Sequence, residues 1–324
     1  IDNNANPVDV IAGQLQIQAQ TGIAGGASGS ENEILEIDVA LFAASTTSGN
    51  IAVIDNDSSG LAALAGLTID TVSTDVKGTT VTTTGVTGGG DAEVCALTGD
   101  LALTQAVNVT GTLRLDAVNG SVTQTGSGVI TAAHLGIRAQ NNIDLDNANN
   151  NVTGTFAAIS TTAGNVEFND LGGFTVGTIT AGACLPNVVG VTATSGEVTL
   201  TSTGTITVDD LVSASDDITL TANGATSDII VNAGSGGIES TNGPITLNAG
   251  DDVTLNDVVT VTTGAGLVDI DAGDSVAIQA AITTQGGSVE IDAVNDVTST
   301  AAGTITTSSV TGSGINSGAV TIAA

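Results

Sequence analysis

From about residue 195 the chain alternates apolar and polar positions in short runs such as Gly196-Glu197-Val198-Thr199-Leu200, Asp251-Asp252-Val253-Thr254-Leu255 and Gly266-Leu267-Val268-Asp269-Ile270. Successive side chains of an extended strand point to opposite faces. Val198/Leu200, Val253/Leu255 and Val268/Ile270 therefore share an inner face, while Thr and Asp turn to water. Each run predicts a half-buried strand about five residues long. The runs are themselves periodic. Val198, Ile206 and Val212 are separated by 8 and 6, as are Ile245, Val253 and Val259, and again Val268, Val276 and Ile282. From one triplet to the next, Val198 to Ile218 is 20, Ile245 to Val268 is 23 and Val268 to Val289 is 21; the interval of 27 from Ile218 to Ile245 marks a bulged loop. Three short strands per rung of about 20 to 23 residues predict an all-β, right-handed parallel β-helix, or β-solenoid. An antiparallel sandwich also spaces strands by about 8 to 12 residues, but has no reason to restart its pattern at each rung. The predicted inner-column core comprises Val198, Ile206, Val212, Ile245, Val253, Val259, Val268, Val276, Ile282 and Val289.

A longer repeat overlies the rung. Leu15–Ile23 matches Leu135–Ile143 at an offset of 120, Phe42–Ile51 matches Phe156–Val166 at 114 to 115, and Leu67–Val72 matches Phe174–Ile179 at 107. The drifting offset describes a duplicated module whose insertions and deletions belong at corners. One continuous solenoid over 1–324 is expected, with modules at approximately 10–125 and 130–235 and further rungs at 236–324. Turn clusters such as Asn147-Ala148-Asn149-Asn150-Asn151 suit such corners. The chain has only 3 Pro, in keeping with central strands that cannot lose a ladder hydrogen bond.

The series LQIQAQTGI, LFAASTTSGNIAVIDN and GLTIDTV, its second copy LGIRAQNNIDLDNANNN and FNDLGGFTVGTI, and the run GSVEIDAVNDV resemble the long β-strand-repeat proteins related to filamentous haemagglutinin. That resemblance covers most of the chain. It implies a right-handed β-helix exported by bacteria, with a role in adhesion, biofilm or cell-surface structure.

Composition narrows the chemistry. With 4 Phe and no Trp, Tyr or Met, the core must be narrow and filled by short aliphatic side chains. Against disorder stand 41% hydrophobic residues arranged in alternating runs. A net charge of -31 excludes nucleic acid as a direct partner, and no apolar run is long enough for membrane insertion as a helix. His134 is the only histidine and Lys77, Arg114 and Arg138 are the only bases. With no aromatic sugar platform, a polysaccharide-active β-helix enzyme is the weakest reading, and the expectation is no enzyme and no catalytic residue. His134 reads as a surface turn residue.

Asp55-Asn56-Asp57-Ser58-Ser59-Gly60 begins like a calcium loop, which nominates Asp55, Asp57 and Ser59 as weak Ca2+ ligands. Position twelve is Gly66 and not Glu, so a plain acidic turn competes, and no cofactor beyond a structural Ca2+ is expected. Asp216/Asp217, Asp251/Asp252 and Asp269/Asp271 are candidates for diffuse cation association. Cys95 and Cys184 lie 89 residues apart, roughly four rungs or about 20 Å along a solenoid. That separation disfavours an intrachain bridge unless a loop folds back, and Cys95 should face outward beside an inward Val94.

The expected function is a structural, non-catalytic repeat region of a secreted or cell-surface fibrous protein. Its partners are copies of itself or flanking repeats, stacked end to end, with Ile17, Val320 and Ile322 on the end strands. A stalk of an adhesin binding surface glycans is the alternative. The expected location is extracellular or on the outer cell surface.

Overall fold

A computed structural model describes residues 8–23, 34–57, 66–308 and 317–324. The described residues contain strands and no helix, and nearly all of the pairing is parallel, stacked turn upon turn as a β-solenoid. The chain divides into two compact units, 1–153 with 179–188, and 154–178 with 189–324.

The second unit has three sides. Val198–Ser202, Ile218–Ala222, Ile245–Ala249, Val268–Ala272, Val289–Ala293 and Val320–Ala323 stack on the first side in unbroken register, so that Val198, Ile218, Ile245, Val268, Val289 and Val320 form one column. Ile206–Val208, Ile229–Val231, Val253–Leu255, Val276–Ile278 and Val297–Ser299 make the second side. Val191–Ala193, Val212–Ala214, Ile238–Ser240, Val259–Val261, Ile282–Thr283 and Ile305–Thr306 make the third. The 8-and-6 spacing thus steps once around the tube. Val198, Ile206, Val212, Ile245, Val253, Val259, Val268, Val276, Ile282 and Val289 are all fully buried, divided among the three sides. Each buried aliphatic side chain contributes about 1.5 to 3 kcal/mol. The last inward position of each first-side strand is small (Ser202, Ala222, Ala249, Ala272) because it sits where the tube turns its corner. The first turn of this unit is wider: Phe156, Phe168 and Phe174 fill it, with Phe156 and Phe168 stacked at 4.1 Å between ring centroids.

The first unit repeats the plan. Ile51–Asp55, Ala92–Ala96, Thr112–Ala117 and His134–Ala139 stack on its first side. Leu67–Ile69, Leu101–Leu103, Val122–Gln124 and Ile143–Leu145 form its second. Val86–Gly88, Val107–Val109, Ile130–Ala132 and Asn151–Val152 form its third. The long strand Leu35–Thr46 pairs with Val10–Ala19 along one edge. Along its other edge it bends past all three sides, meeting Ile51–Asp55, then Leu67–Ile69, then Val86–Gly88.

The sequence duplication is visible in the pairing. Phe42 is paired with residues of the second side and Ala44 with residues of the third, and in the other copy Phe156 and Ala158 do the same. In both copies the chain leaves the tube between the second and third sides and returns through a glycine. Gly85 N–H donates to Asp70 O while Gly85 O accepts from Ala44 N–H; Gly190 N–H donates to Gly177 O while Gly190 O accepts from Ala158 N–H. Both glycines have φ of 65°, and a Cβ at either would lie about 2 Å from the carbonyl oxygen of the next turn, Ala106 or Leu211. The same gate therefore opens onto two different excursions. The first is the antiparallel hairpin Thr71–Val76 with Thr79–Thr84, turned at Lys77-Gly78 and packed beside Val10–Ala19, where Gln18 Nε2 donates to Thr83 Oγ1 at 2.8 Å. The second is the segment 178–189.

Much of the acidity is structural. Corner N–H groups fall outside the ladders and need acceptors. Asp91 accepts from Thr112 N–H at 2.8 Å and Asp100 from Ser121 N–H at 2.8 Å. In the second unit Asp228 accepts from Asp252 N–H and Asp252 in turn from Ser275 N–H. These four carboxylates thereby tie their corners to the next turn.

Candidate functional site

The densest chemistry in the described residues lies on the outward face of the first unit's first side. Register places two outward rows there. One runs Ala52, Glu93, Arg114, Gly136; the other runs Ile54, Cys95, Asp116, Arg138. On a bare solenoid such rows would face water. Here residues 179–188 fold over them, and Cys95 is bonded to Cys184 across a Cα separation of 6.6 Å. The expectation of two distant cysteines is overturned, because a corner excursion crosses the rungs that axial counting placed between them. Cys95 does point away from the core as expected, yet it is 0% exposed because the excursion covers it.

Three further contacts hold this clasp. The Glu93 carboxylate, 6% exposed, accepts the N–H groups of Ala183, Cys184 and Leu185 at 2.6, 2.8 and 2.7 Å, an anion in a nest of backbone donors. Arg114 Nε donates to Thr180 O at 3.1 Å while its Nη1 lies 3.3 Å from Asp91 Oδ2. Ile179 and Leu185 lie over Gly136, where a Cβ would come within 2.6 Å of Ile179 Cγ2. Within the clasp, Gly182 N–H donates to Leu185 O at 2.9 Å and closes the turn that aims the donors. Beside it, Arg138 forms a two-pronged ion pair with Asp116, Nε to Oδ1 at 2.8 Å. Burial pushes the Asp116 carboxyl above its usual range, an effect that the Arg138 hydrogen bond and charge oppose. Both arginines of the chain are thus engaged here.

The site's chemistry is redox fastening. A disulfide, a desolvated carboxylate in a donor nest and an arginine on a carbonyl hold a ten-residue crossing whose Ile179, Leu185 and Val188 are also buried. Sequence reading passed over Glu93, Arg114, Asp116 and Arg138. Their signal was the rung register itself, which places Glu93 and Cys95 two apart on one strand with Arg114 and Asp116 one turn on.

The other nominated residues lie elsewhere. Asp55 ends the strand Ile51–Asp55, Asp57 lies two residues beyond it, and Ser59 lies outside the described residues. Asp55 is fully buried, and Asp38 is fully buried as well, close enough for its charge to act on Asp55. Ile17 is half-buried in Val10–Ala19, whereas Val320 and Ile322 are 47% and 50% exposed in Val320–Ala323. His134 is exposed at the start of the strand His134–Ala139, so it is a strand residue and not a turn residue. Among the proposed cation pairs, Asp251 and Asp252 gather with Asp274 within 4.8 Å, while Asp269 and Asp271 face Glu290 and Asp292 one turn on. Burial, and then the charges of Asp271, Glu290 and Asp292, raise the pKa of Asp269.

Fold and site together define an acidic parallel β-solenoid with a disulfide-fastened corner clasp. No protein-family model, curated protein or solved structure matches the chain.

Proposed function

We propose that the chain is a structural, non-catalytic repeat region of a secreted or cell-surface fibrous protein, of the kind its resemblance to filamentous-haemagglutinin-related proteins implies. The observation that carries this reading is the column Val198, Ile218, Ile245, Val268, Val289, Val320, in which each strand offers the next the same parallel edge. At Val320–Ala323 that edge has no further partner among the described residues, and its Val320 and Ile322 side chains are half exposed. An open parallel edge with apolar side chains is a template for another rung. The occupant is the next repeat of the same polypeptide or a second copy of this segment, so the fibre lengthens by rung stacking. The Cys95–Cys184 bridge supports an oxidising compartment and hence an extracellular or outer-surface location.

Sedimentation and electron microscopy of the purified segment test this. Concentration-dependent end-to-end assembly is expected, and Val320→Lys or Val320→Pro should reduce it. Monodisperse monomer at high concentration, with wild type and variants alike, would count against the stacking edge.

A further inference from the structure

Two strands of the chain carry edges that fit each other. Leu15–Ala19 is the counterpart, in the duplicated module, of Leu135–Ala139. Leu135 and Ile137 are fully buried, and the preceding turn lies on them in the register Leu113 on Leu135, Arg114 on Gly136 and Leu115 on Ile137. Leu15 and Ile17 are half-buried, and among the described residues Val10–Ala19 pairs with Leu35–Thr46 alone. A strand laid on that open edge as Thr112–Ala117 lies on His134–Ala139 needs aliphatic residues two apart and an earlier turn behind it. Val320–Ala323 has this pattern. Val320 and Ile322 continue the columns of Val289 and Ile291, yet they are 47% and 50% exposed where Val289 and Ile291 are 0%.

The hairpin adds charge to this match. At its base Asp70 N–H donates to Phe42 O and Ala44 N–H to Gly85 O, both on Leu35–Thr46; farther along, the Gln16 amide lies among Thr74, Val81 and Thr83. The ladder therefore runs from Leu35–Thr46 across Val10–Ala19 toward the open edge, and continues past Thr74 and Val81 to an exposed tip at Lys77-Gly78. The clasp takes the same course in the other module copy, from above Gly136 to Glu93 two turns back. Three residues of strand, from Thr74 to Lys77, span about 10 Å, and so do two turns. Extending the outward row of Gln16 onto a docked Val320–Ala323 puts Thr321 one turn back and Glu290 two turns back, with Asp292 in the adjacent row. Glu290 and Asp292 are exposed, and Lys77 is the only lysine of a chain with 34 acids.

We propose that a second molecule of this chain docks head to tail, its Val10–Ala19 edge on Val320–Ala323 with Leu15 on Val320 and Ile17 on Ile322, and its Lys77 tip over Glu290 and Asp292. This contact rests on the rung stacking proposed above and gives it a partner, a register and a polarity. Ladder hydrogen bonds and the four aliphatic side chains supply the adhesion. The exposed ion pairs supply orientation more than strength, and weaken with salt.

Crosslinking between two singly substituted full-length proteins tests the contact. With Gln18→Cys in one and Ala323→Cys in the other, the register sets these outward positions one strand spacing apart, about 4.8 Å, within reach of a disulfide. Oxidation of the mixture with copper phenanthroline should give the crosslinked dimer. Gln18→Cys with Thr321→Cys, about 8 Å apart in the same register, should not. Lys77→Glu should raise the protein concentration needed for half-assembly several-fold at low salt, and Lys77→Glu/Glu290→Lys should restore it. Three results would each overturn this contact and leave rung stacking standing: equal crosslinking at position 321, no crosslink between positions 18 and 323 in material that assembles, or assembly indifferent to Lys77→Glu. Monomer at every concentration, with no crosslink, would overturn both.

Discussion

The two excursions that leave the tube between its second and third sides share a gate, and each has a two-stranded ladder, six residues a side in the first and only Thr178–Ile179 with Val188–Val189 in the second; they differ in what fastens them. The Thr71–Thr84 hairpin carries its own antiparallel ladder, with Thr on both strands and Ser73 on the first, and needs little from the wall it leans on. The 179–188 clasp closes one turn by Gly182 N–H to Leu185 O and depends on covalent and ionic fastening: Cys184 to Cys95, three N–H groups to Glu93, and Thr180 O to Arg114. A corner of a solenoid thus accepts inserted sequence at little cost. Whether the insert stays independent or becomes a fixture is decided by what the neighbouring outward rows offer it. Beside the clasp, those rows hold a carboxylate, a thiol, an arginine and a glycine flat enough to be covered.

The largest effect expected from breaking the comparison lies beneath the second gate. Its turn is filled by Phe156, Phe168 and Phe174, whereas the equivalent turn of the first copy has Phe42 alone. Phe168→Ala should cost about 3 to 5 kcal/mol in chemical denaturation of the second unit. Opening the disulfide comes next. Reduction, or the pair Cys95→Ser and Cys184→Ala, should lower the first unit's stability by about 2 to 4 kcal/mol. The same treatment should speed exchange of the Ala183, Cys184 and Leu185 amides while leaving those of the Thr71–Thr84 hairpin unchanged. Glu93→Gln should cost about 1.5 to 3 kcal/mol, because a neutral amide replaces an anion shared by three donors. The same three amides report it by hydrogen exchange with the disulfide intact. If the hairpin amides responded equally, the two excursions would not be independent of one another.

The tube itself was legible because inward positions obey a strict rule. Val198, Ile206 and Val212 could be assigned by spacing alone, since the inward positions of these rungs are aliphatic and recur at each side. The duplicated module was legible for the same reason, and the drift in its offset, from 120 to 107, pointed to the corners that carry the excursions. The clasp was not legible. Counting rungs between Cys95 and Cys184 measures distance along the tube axis, and a corner excursion leaves that axis. Asp55 was singled out for its neighbours Asp57 and Ser59, whereas its environment comes from Asp38 and from the inward column it shares with Ala96. Composition suggested that the acids repel phosphate. It did not reveal that Asp91, Asp100, Asp228 and Asp252 accept corner N–H groups, because that role depends on which turn follows.

The central claim is that successive rungs lie on one another in parallel register, and spin-label distances along the first side of the second unit test it most directly. Thr199, Asp269, Glu290 and Thr321 occupy one outward row, with Thr219 and Thr246 between the first two. With one label at Thr199 and the second at Asp269, Glu290 or Thr321, the pairs are three, four and five turns apart. Backbone separations of about 14, 19 and 24 Å are expected, growing by one strand spacing per turn although the intervening sequence grows unevenly. Distances that follow residue number, or that fail to rise by a constant step, would contradict the stacked solenoid.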